Sequence, residues 1–213
     1  MCILVRIQGP EPTEQLFINN VMGSFKLNSI EAFSESGGVV SISNDTVFPA
    51  GHIVQVQSVV DNSTGSITVA NWTLHPNMTL TVTPKFDNSY FFLIGRCSGE
   101  NSNDEHRMNV SFFRGDNRIN PGEDVGSIVG TMFVGYSAYY AGDNNSTPVS
   151  YSFQTLDKTA GTIAGTSILF QIKLKEQNSN STTWYYNRTV SSATTAGSYE
   201  RLSSELIVME VKQ

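Results

Sequence analysis

Apolar and polar residues alternate with a period of two along most of this chain, a pattern that predicts β-strands with one face buried. The clearest case is MTLTVTP at residues 78–84, where apolar residues are separated by threonines. The same alternation recurs in PVSYSFQTL (148–156) and SILFQIKLKE (167–176). No segment has the 3.6-residue period and the length of an amphipathic helix. The pattern therefore predicts an all-β protein.

The central stretch, 88–116, reads NSYFFLIGRCSGENSNDEHRMNVSFFRGD. Its two ends are rich in aromatic and β-branched residues, which favour strands. Between them, Ser98 to Asp104 is a run of Ser, Gly, Glu, Asn and Asp, which favours a turn. We therefore predict a hairpin of two long strands joined by a polar loop, around which the other strands assemble.

Turn signals divide the remaining sequence into many strands of five to twelve residues. Residues 48–213 are predicted to form an antiparallel β-sandwich of jelly-roll type. Residues 1–47 are predicted to form an extended arm and a hairpin for attachment or oligomerisation. The apolar residues of that hairpin lie outside the sandwich and need another surface to cover them, which a second copy of the chain could supply: Phe25, Leu27, Ile30 and Val39.

Composition excludes several partners. Only 15% of the residues are charged while 39% are hydrophobic, so solubility depends on Ser, Thr and Asn. The net charge of -6 and the presence of only 13 lysines and arginines argue against binding to nucleic acid. The sequence contains no apolar run long enough for a membrane span, and its N-terminal residues do not resemble a secretory signal. The two cysteines, Cys2 and Cys97, have no metal-binding or redox spacing.

A series of segments then resembles a known group of proteins. In order they are FPAGHIVQV, a strand ending in TVTP, FFRGDNRI, GYSAYY, SYSFQTLDKTAGT, WYYNR and SELIVMEV, which together span Phe48 to Gln213. This order resembles small structural and tail-fibre proteins of tailed phages of marine bacteria and cyanobacteria. The resemblance implies a virion protein, a tail-fibre or receptor-binding component, and a trimer. It supplies no catalytic residues.

Motifs for chemistry are missing from the sequence. It has no zincin motif, phosphate-binding loop or nucleophile elbow, and the three histidines lack the spacing of a zinc site. Acidic residues cluster in two polar stretches, as required for a sugar-cleaving pair, but solvated turns are the better interpretation. The segment GDNRINPGED offers Asp116, Asn120, Glu123 and Asp124 as oxygen ligands for calcium, without the spacing of an EF-hand. We expect no enzyme activity, no cofactor and no metal.

Aromatic residues beside polar loops are the remaining candidates for function. Sugar recognition combines stacking on an aromatic face with fixed polar partners, and loops at the end of a sandwich display such groups. The candidates are Trp184, Tyr185 and Tyr186 in one row, and Tyr139 and Tyr140 in another. Alternation requires that at least one residue of each row points outward. Each could equally belong to the core or to a subunit interface.

Two hypotheses follow for the function. The first is a homotrimeric phage tail-fibre or receptor-binding protein that attaches to host-surface polysaccharide by contacts multiplied over several copies. The second is a capsid decoration or fibre-joining adaptor, whose apolar surfaces meet other virion proteins. Both place the chain on the virus particle.

Overall fold

The chain separates into two compact units, Met1–His52 and Ile53–Gln213. The computed structural model describes short strands within residues 4–42, and then residues 50–102, 107–123, 130–131, 133–136, 148–176, 182–191 and 200–213. The boundary predicted at residue 48, and the attachment role of the residues before it, stay predictions.

The first unit contains five strands: β1 (Leu4–Val5), β2 (Leu16–Phe17), β3 (Ser24–Leu27), β4 (Ile30–Ser36) and β5 (Val39–Ile42). Strands β1 and β2 pair with each other in antiparallel orientation. The predicted hairpin is a three-stranded antiparallel sheet in the order β3-β4-β5, because FKLNSIEAF forms two strands rather than one. The side chains of the four predicted oligomerisation residues lie outside the described part of the structure.

The second unit contains eleven described strands: β6 (Ile53–Asp61), β7 (Gly65–Thr68), β8 (Thr73–Val82), β9 (Tyr90–Asn101), β10 (Arg107–Arg114), β11 (Asn117–Arg118), β12 (Phe133–Tyr136), β13 (Val149–Asp157), β14 (Ile168–Glu176), β15 (Thr183–Tyr186) and β16 (Ser204–Val211). The described strands of this unit pair in antiparallel orientation, and the described residues contain no helix. Accordingly, no helix in this part of the chain is long and apolar enough to cross a membrane. The prediction of an antiparallel all-β fold is confirmed; the jelly-roll connectivity stays a prediction.

These strands form two sheets. The β16 sheet has the order β6-β16-β9-β15-β7, with β13 also paired to β9; the β14 sheet has the order β11-β10-β14-β8, with β12 paired to β10. Alternate side chains of both sheets meet in one core. Aromatic pairs join strands of different sheets, with ring centroids 5.0 Å apart for Phe91 and Phe170 and 4.6 Å apart for Phe112 and Phe153. The sheets therefore pack face to face as a β-sandwich.

The central pair of strands departs from the prediction. Strands β9 and β10 do not pair with each other, because β9 belongs to the β16 sheet and β10 to the β14 sheet. The predicted hairpin is therefore wrong: the connection between the two strands crosses from one sheet to the other. The start of the predicted loop is wrong as well, since Ser98 to Asn101 continue β9 and are buried.

Strand β9 has partners on both edges within the β16 sheet. One edge of β9 pairs with β16 as far as Arg96 and then with β15 from Gly99 to Asn101, and the other edge pairs with β13. Phe91, Leu93 and Cys97 point into the core. By alternation Ile94, Arg96 and Ser98 point to the outer face of the sheet.

Candidate functional site

The structure separates the predicted aromatic row on β15. Trp184 is fully buried and its ring stacks on that of Tyr151, with centroids 5.8 Å apart. Among the described residues, the Trp184 Nε1 and Tyr151 hydroxyl groups are buried without a hydrogen-bond partner. Burial raises the pKa of Tyr151 above its usual value, so its hydroxyl stays protonated. The structure therefore places Trp184 in the core, where it cannot stack on a surface ligand.

The two tyrosines beside Trp184 face opposite ways. The Tyr186 ring packs inward, edge-on to His75 at 5.9 Å. Tyr185 is half-buried and alternates with these core residues, so it lies on the outer face of the sheet. The Arg188 guanidinium lies over the Tyr185 ring at 4.6 Å from its centroid. Tyr185 is thus the member of this row on the outer face, with one face of its ring covered by Arg188, while Tyr139 and Tyr140 lie outside the described residues.

A cleft of about 420 Å³ opens on the same outer face. We call it the arginine cleft; its lining residues are Arg96, Ser98, Ser150, Arg201, Leu202 and Ser203. Strand pairing builds it: Ser98 of β9 lies opposite Ser150 of β13, and Arg96 lies opposite Glu205 of β16. Its volume falls within the range of about 300–1,000 Å³ usual for ligand pockets.

Hydrogen bonds fix the direction of the hydroxyl groups in the arginine cleft. The Ser98 hydroxyl donates to the Ser203 carbonyl at 2.8 Å. Because that uses its only hydrogen, the Ser150 hydroxyl at 2.8 Å must donate to Ser98. The Ser203 hydroxyl accepts from the Arg96 guanidinium at 3.0 Å, which leaves its own hydrogen free to donate.

The two arginines of the cleft differ in their surroundings. Arg96 lies 3.8 Å from the Glu205 carboxylate, and both side chains are partly exposed, so this ion pair contributes little stability. The buried Nε of Arg96 has no hydrogen-bond partner among the described residues. Arg201 is exposed, and within the described part of the chain its guanidinium has no hydrogen bond or ion pair.

Tyr185 and the arginine cleft adjoin each other. Tyr185 pairs with Glu100 on β9, so Ser98 is its diagonal neighbour, about 7–8 Å away. Arg188, which covers the Tyr185 ring, forms an antiparallel bridge with Arg201. One end of the sandwich thus combines an aromatic ring, three arginines and three serines on one face.

A second polar cluster adjoins the cleft and is formed by residues of β6, β8 and β16 and the residue that follows β15. We call it the buried network. Its centre is Asn187, whose side-chain amide donates to the Asp61 carbonyl, the Asp61 carboxylate and the Ser63 carbonyl at 2.9–3.1 Å. Asn187 Oδ1 accepts from the Ser204 hydroxyl at 2.7 Å, and Ser204 also contacts His75 Nε2 at 3.2 Å.

The buried network controls the charge of two titratable groups. Burial lowers the pKa of His75 to about 4, so the ring is neutral near pH 7. For Asp61, burial would raise the pKa, but hydrogen bonds from Ser63 and Asn77 outweigh it and lower the pKa below its ordinary value. Serine, histidine and aspartate meet here, yet Ser204 is fully buried and binds Asn187, so it is not placed to attack a substrate.

Of the predicted carboxylate clusters, Glu100, Asp116 and Glu123 are described by the structure, while Asp124 lies outside the described residues. Glu100 lies buried in β9, where it accepts a hydrogen bond from the Val190 amide, and it is not a loop residue. Asp116 and Glu123 are exposed, and Asp116 lies 3.5 Å from the Lys173 ammonium. The Asn120 side chain donates to Thr155 and Leu156. Within the described ranges, no group of three or more His, Cys, Asp or Glu side chains is placed to hold a metal ion.

Beyond the cleft, the outer face of the β16 sheet is lined by apolar residues. Exposed or half-buried apolar side chains from β6, β16 and β9 lie side by side there: Val56 beside Met209 and Phe92, and Ile207 beside Ile94. Val56 and Val60 are 56% and 58% exposed. We call this surface the apolar face. Apolar patches of this kind on a sheet mark contact surfaces.

Sequence reasoning identified Tyr185 but missed the arginine cleft. Alternation alone predicts that Tyr185 points away from Trp184 and Tyr186. Arg96 and Ser203, however, are 107 positions apart in the sequence and meet only because β9 pairs with β16. No local motif carries that information.

Comparison with known proteins shows only distant likenesses. No protein-family model matches the sequence, and no curated protein matches it. A chain in the structure of infectious bursal disease virus strain Gx is 10% identical over 98% of this chain and 50% of that one, with a TM-score of 0.29. A chain in the structure of strain Gt is 12% identical over 97% of this chain and 48% of that one, with a TM-score of 0.30. This chain thus spans about half the length of the solved chains it matches. Likenesses of this size establish neither a family nor a function.

Proposed function

We propose that this chain is a structural protein of a virus particle, a trimeric phage tail-fibre or receptor-binding component that contacts glycans on the host surface. Two lines support the proposal. The order of segments from Phe48 to Gln213 resembles such proteins, and the all-β sandwich carries a candidate binding site at one end. The observation that carries the glycan part is the arginine cleft with the Tyr185 ring beside it.

The arrangement suits a sugar in physical terms. Sugar rings present apolar C–H faces that stack on aromatic rings and hydroxyl groups that need fixed polar partners. Tyr185 offers the part of its ring that Arg188 does not cover, and the cleft offers serine hydroxyls and guanidinium groups. A single shallow site binds weakly, so several copies on one particle would be needed for firm attachment.

The proposed role is binding without catalysis. Glycoside cleavage uses two carboxyl groups about 5–10 Å apart across a cleft. The arginine cleft has no carboxylate among its lining residues, and Glu205 beside it contacts Arg96. Incubation with polysaccharide should therefore release no new reducing ends; a time-dependent increase in reducing ends would contradict this part of the proposal.

A glycan array tests the binding role. Tyr185→Ala should lose binding to every glycan that the wild-type protein retains. Tyr90→Ala is a matched control, because Tyr90 also lies half-buried on the outer face of β9, with Lys158 over its ring at 5.9 Å, at the other end of the sheet. Equal losses in both variants, or no binding by the wild type, would contradict glycan recognition at this site.

The second candidate is a capsid decoration or fibre-joining adaptor, and the apolar face favours it. Its exposed valines suit burial against another protein. Light scattering on the full chain separates the two roles. A mass three times the 23.3 kDa of one chain supports the trimeric fibre. A monomer that binds another virion protein through the apolar face, and that loses this binding on Val56→Lys, supports the adaptor.

A further inference from the structure

We propose that the arginine cleft recognises a carboxylate group, so that its ligand is an acidic saccharide such as a uronic acid polymer. This inference rests on the proposed glycan-binding role and names the class of glycan. It follows from the balance of charges, the balance of hydrogen-bond donors and the shape of the guanidinium group, taken in turn.

The charges around the arginine cleft favour an anionic ligand. The chain as a whole carries a net charge of -6. Nevertheless Arg96, Arg188 and Arg201 gather at one end of one sheet face, where only two carboxylates, those of Glu100 and Glu205, lie opposite described strand residues of the site. Within the described part of the chain, these arginines form one ion pair, the 3.8 Å contact between Arg96 and Glu205. Like charges brought together raise the electrostatic energy of the free protein, and an anion bound between them lowers it.

The unused hydrogen-bond donors of the cleft also favour a carboxylate. The Ser203 hydroxyl has a hydrogen left to donate, and the exposed Arg201 guanidinium presents five N–H donors. The hydroxyl oxygen of Ser150 keeps lone pairs, so the cleft also has an acceptor. Donors outnumber acceptors, which favours a ligand rich in acceptors. A carboxylate accepts through both oxygens and donates nothing.

The shape of the arginine side chains and the position of Tyr185 also fit an acidic sugar. The flat guanidinium fork of arginine matches the two oxygens of a carboxylate, and the pair forms two parallel charge-assisted hydrogen bonds. The Tyr185 ring lies one diagonal step away, within the length of a sugar unit, so a ring could stack there while its carboxylate reaches the cleft. A neutral sugar would instead leave the arginines partly dehydrated without a counter-charge, which is unfavourable.

The test uses the full chain and three immobilised polymers: polygalacturonate, neutral dextran and dextran sulfate. Biolayer interferometry should show binding to polygalacturonate that weakens at least about tenfold in Arg201→Gln. Arg201→Lys keeps the charge but loses the fork, and it should also weaken binding. Lys175→Gln is the control, because it removes one positive charge from the opposite sheet and should leave binding unchanged.

The other outcomes separate the two claims. Binding to dextran that Tyr185→Ala abolishes and Arg201→Gln leaves intact would overturn the carboxylate inference while keeping the glycan role. Stronger binding to dextran sulfate than to polygalacturonate, with Arg201→Lys equal to wild type, would show that charge alone matters and would also overturn it. Failure to bind any polymer or any arrayed glycan would overturn the inference and the proposed glycan role together.

Discussion

The buried network and the arginine cleft are two polar clusters that meet at the adjacent residues Ser203 and Ser204, yet they differ in how their hydrogen bonds are satisfied. Ser204 points inward, where its hydroxyl contacts Asn187, His75 and the Ser98 amide. Ser203, one residue earlier, lines the cleft and keeps a free hydrogen. Polar groups that satisfy one another hold a fold together, whereas polar groups with unused donors are available to a ligand.

The largest expected effect is in the buried network. Asn187→Ala should reduce the free energy of unfolding by about 3 kcal/mol, because it leaves buried acceptors on Asp61 and Ser63 and the Ser204 donor without their partner. Asn187 also has a φ of 55°, a conformation that asparagine tolerates better than alanine. Urea unfolding measures the change.

The control for this prediction is Asn117→Ala, since Asn117 is exposed in β11 and should change stability by less than about 0.5 kcal/mol. A loss below about 1 kcal/mol for Asn187→Ala would mean that the network does not stabilise the fold as described.

Adjacent serines provide the sharpest version of the comparison. Ser204→Ala should cost about 2 kcal/mol, because the Ser98 amide and the Asn187 carbonyl lose a buried partner. Ser203→Ala should cost less than about 0.5 kcal/mol, since its hydroxyl contacts only the partly exposed Arg96. Chemical denaturation of both variants should give these unequal losses, and equal losses would remove the distinction between network and cleft.

The pH dependence of stability tests the charge state of the network. The pKa of His75 is about 4 in the fold and 6.5 in the unfolded chain, so the unfolded state binds the proton first as pH falls. The free energy of unfolding is highest above pH 6.5 and should be lower by about 1 kcal/mol at about pH 5.5. The lowered pKa of Asp61 changes the free energy of unfolding only at pH values below 3.8, the ordinary pKa of this group.

His75→Phe removes the titrating ring and keeps an aromatic contact with Tyr186. Unfolding free energies measured between pH 7 and about pH 5.5 should therefore be flatter for this variant than for the wild type. The same slope in both proteins would show that His75 is not the group responsible.

The smallest expected effect is in the cleft. Arg201→Gln should leave the free energy of unfolding unchanged within about 0.5 kcal/mol, because the exposed guanidinium has no partner among the described residues. Thermal or urea unfolding near pH 7 checks this. A loss above about 1 kcal/mol would indicate that Arg201 has a structural role and would move the cleft into the same class as the buried network.

The strands of this fold could be predicted from the sequence far better than their partners. Alternation located β13 and β14 within a few residues, because burial of one sheet face leaves a period of two in the sequence. It could not show that β9 and β10 lie in different sheets. Two neighbouring apolar strands have the same pattern whether they pair side by side or face each other across a core.

The candidate site, like the fold, could be predicted from the sequence only in part. Periodicity could place Tyr185 outside, but it could not tell that Glu100 would continue β9 as a buried residue, because its polar neighbours favour a turn. The arginine cleft and the buried network depend on contacts between residues more than 100 positions apart. Such contacts are properties of strand order, which the pattern along one chain does not contain.

The position of β16 has a consequence for how the protein is made. Strand β16 lies between β6 and β9, although it follows both of them in the chain by more than 100 residues. During synthesis β6 and β9 emerge from the ribosome long before the strand that joins them. The sheet can therefore close only after residues 204–211 are released, and until then its apolar strand edges need protection from aggregation.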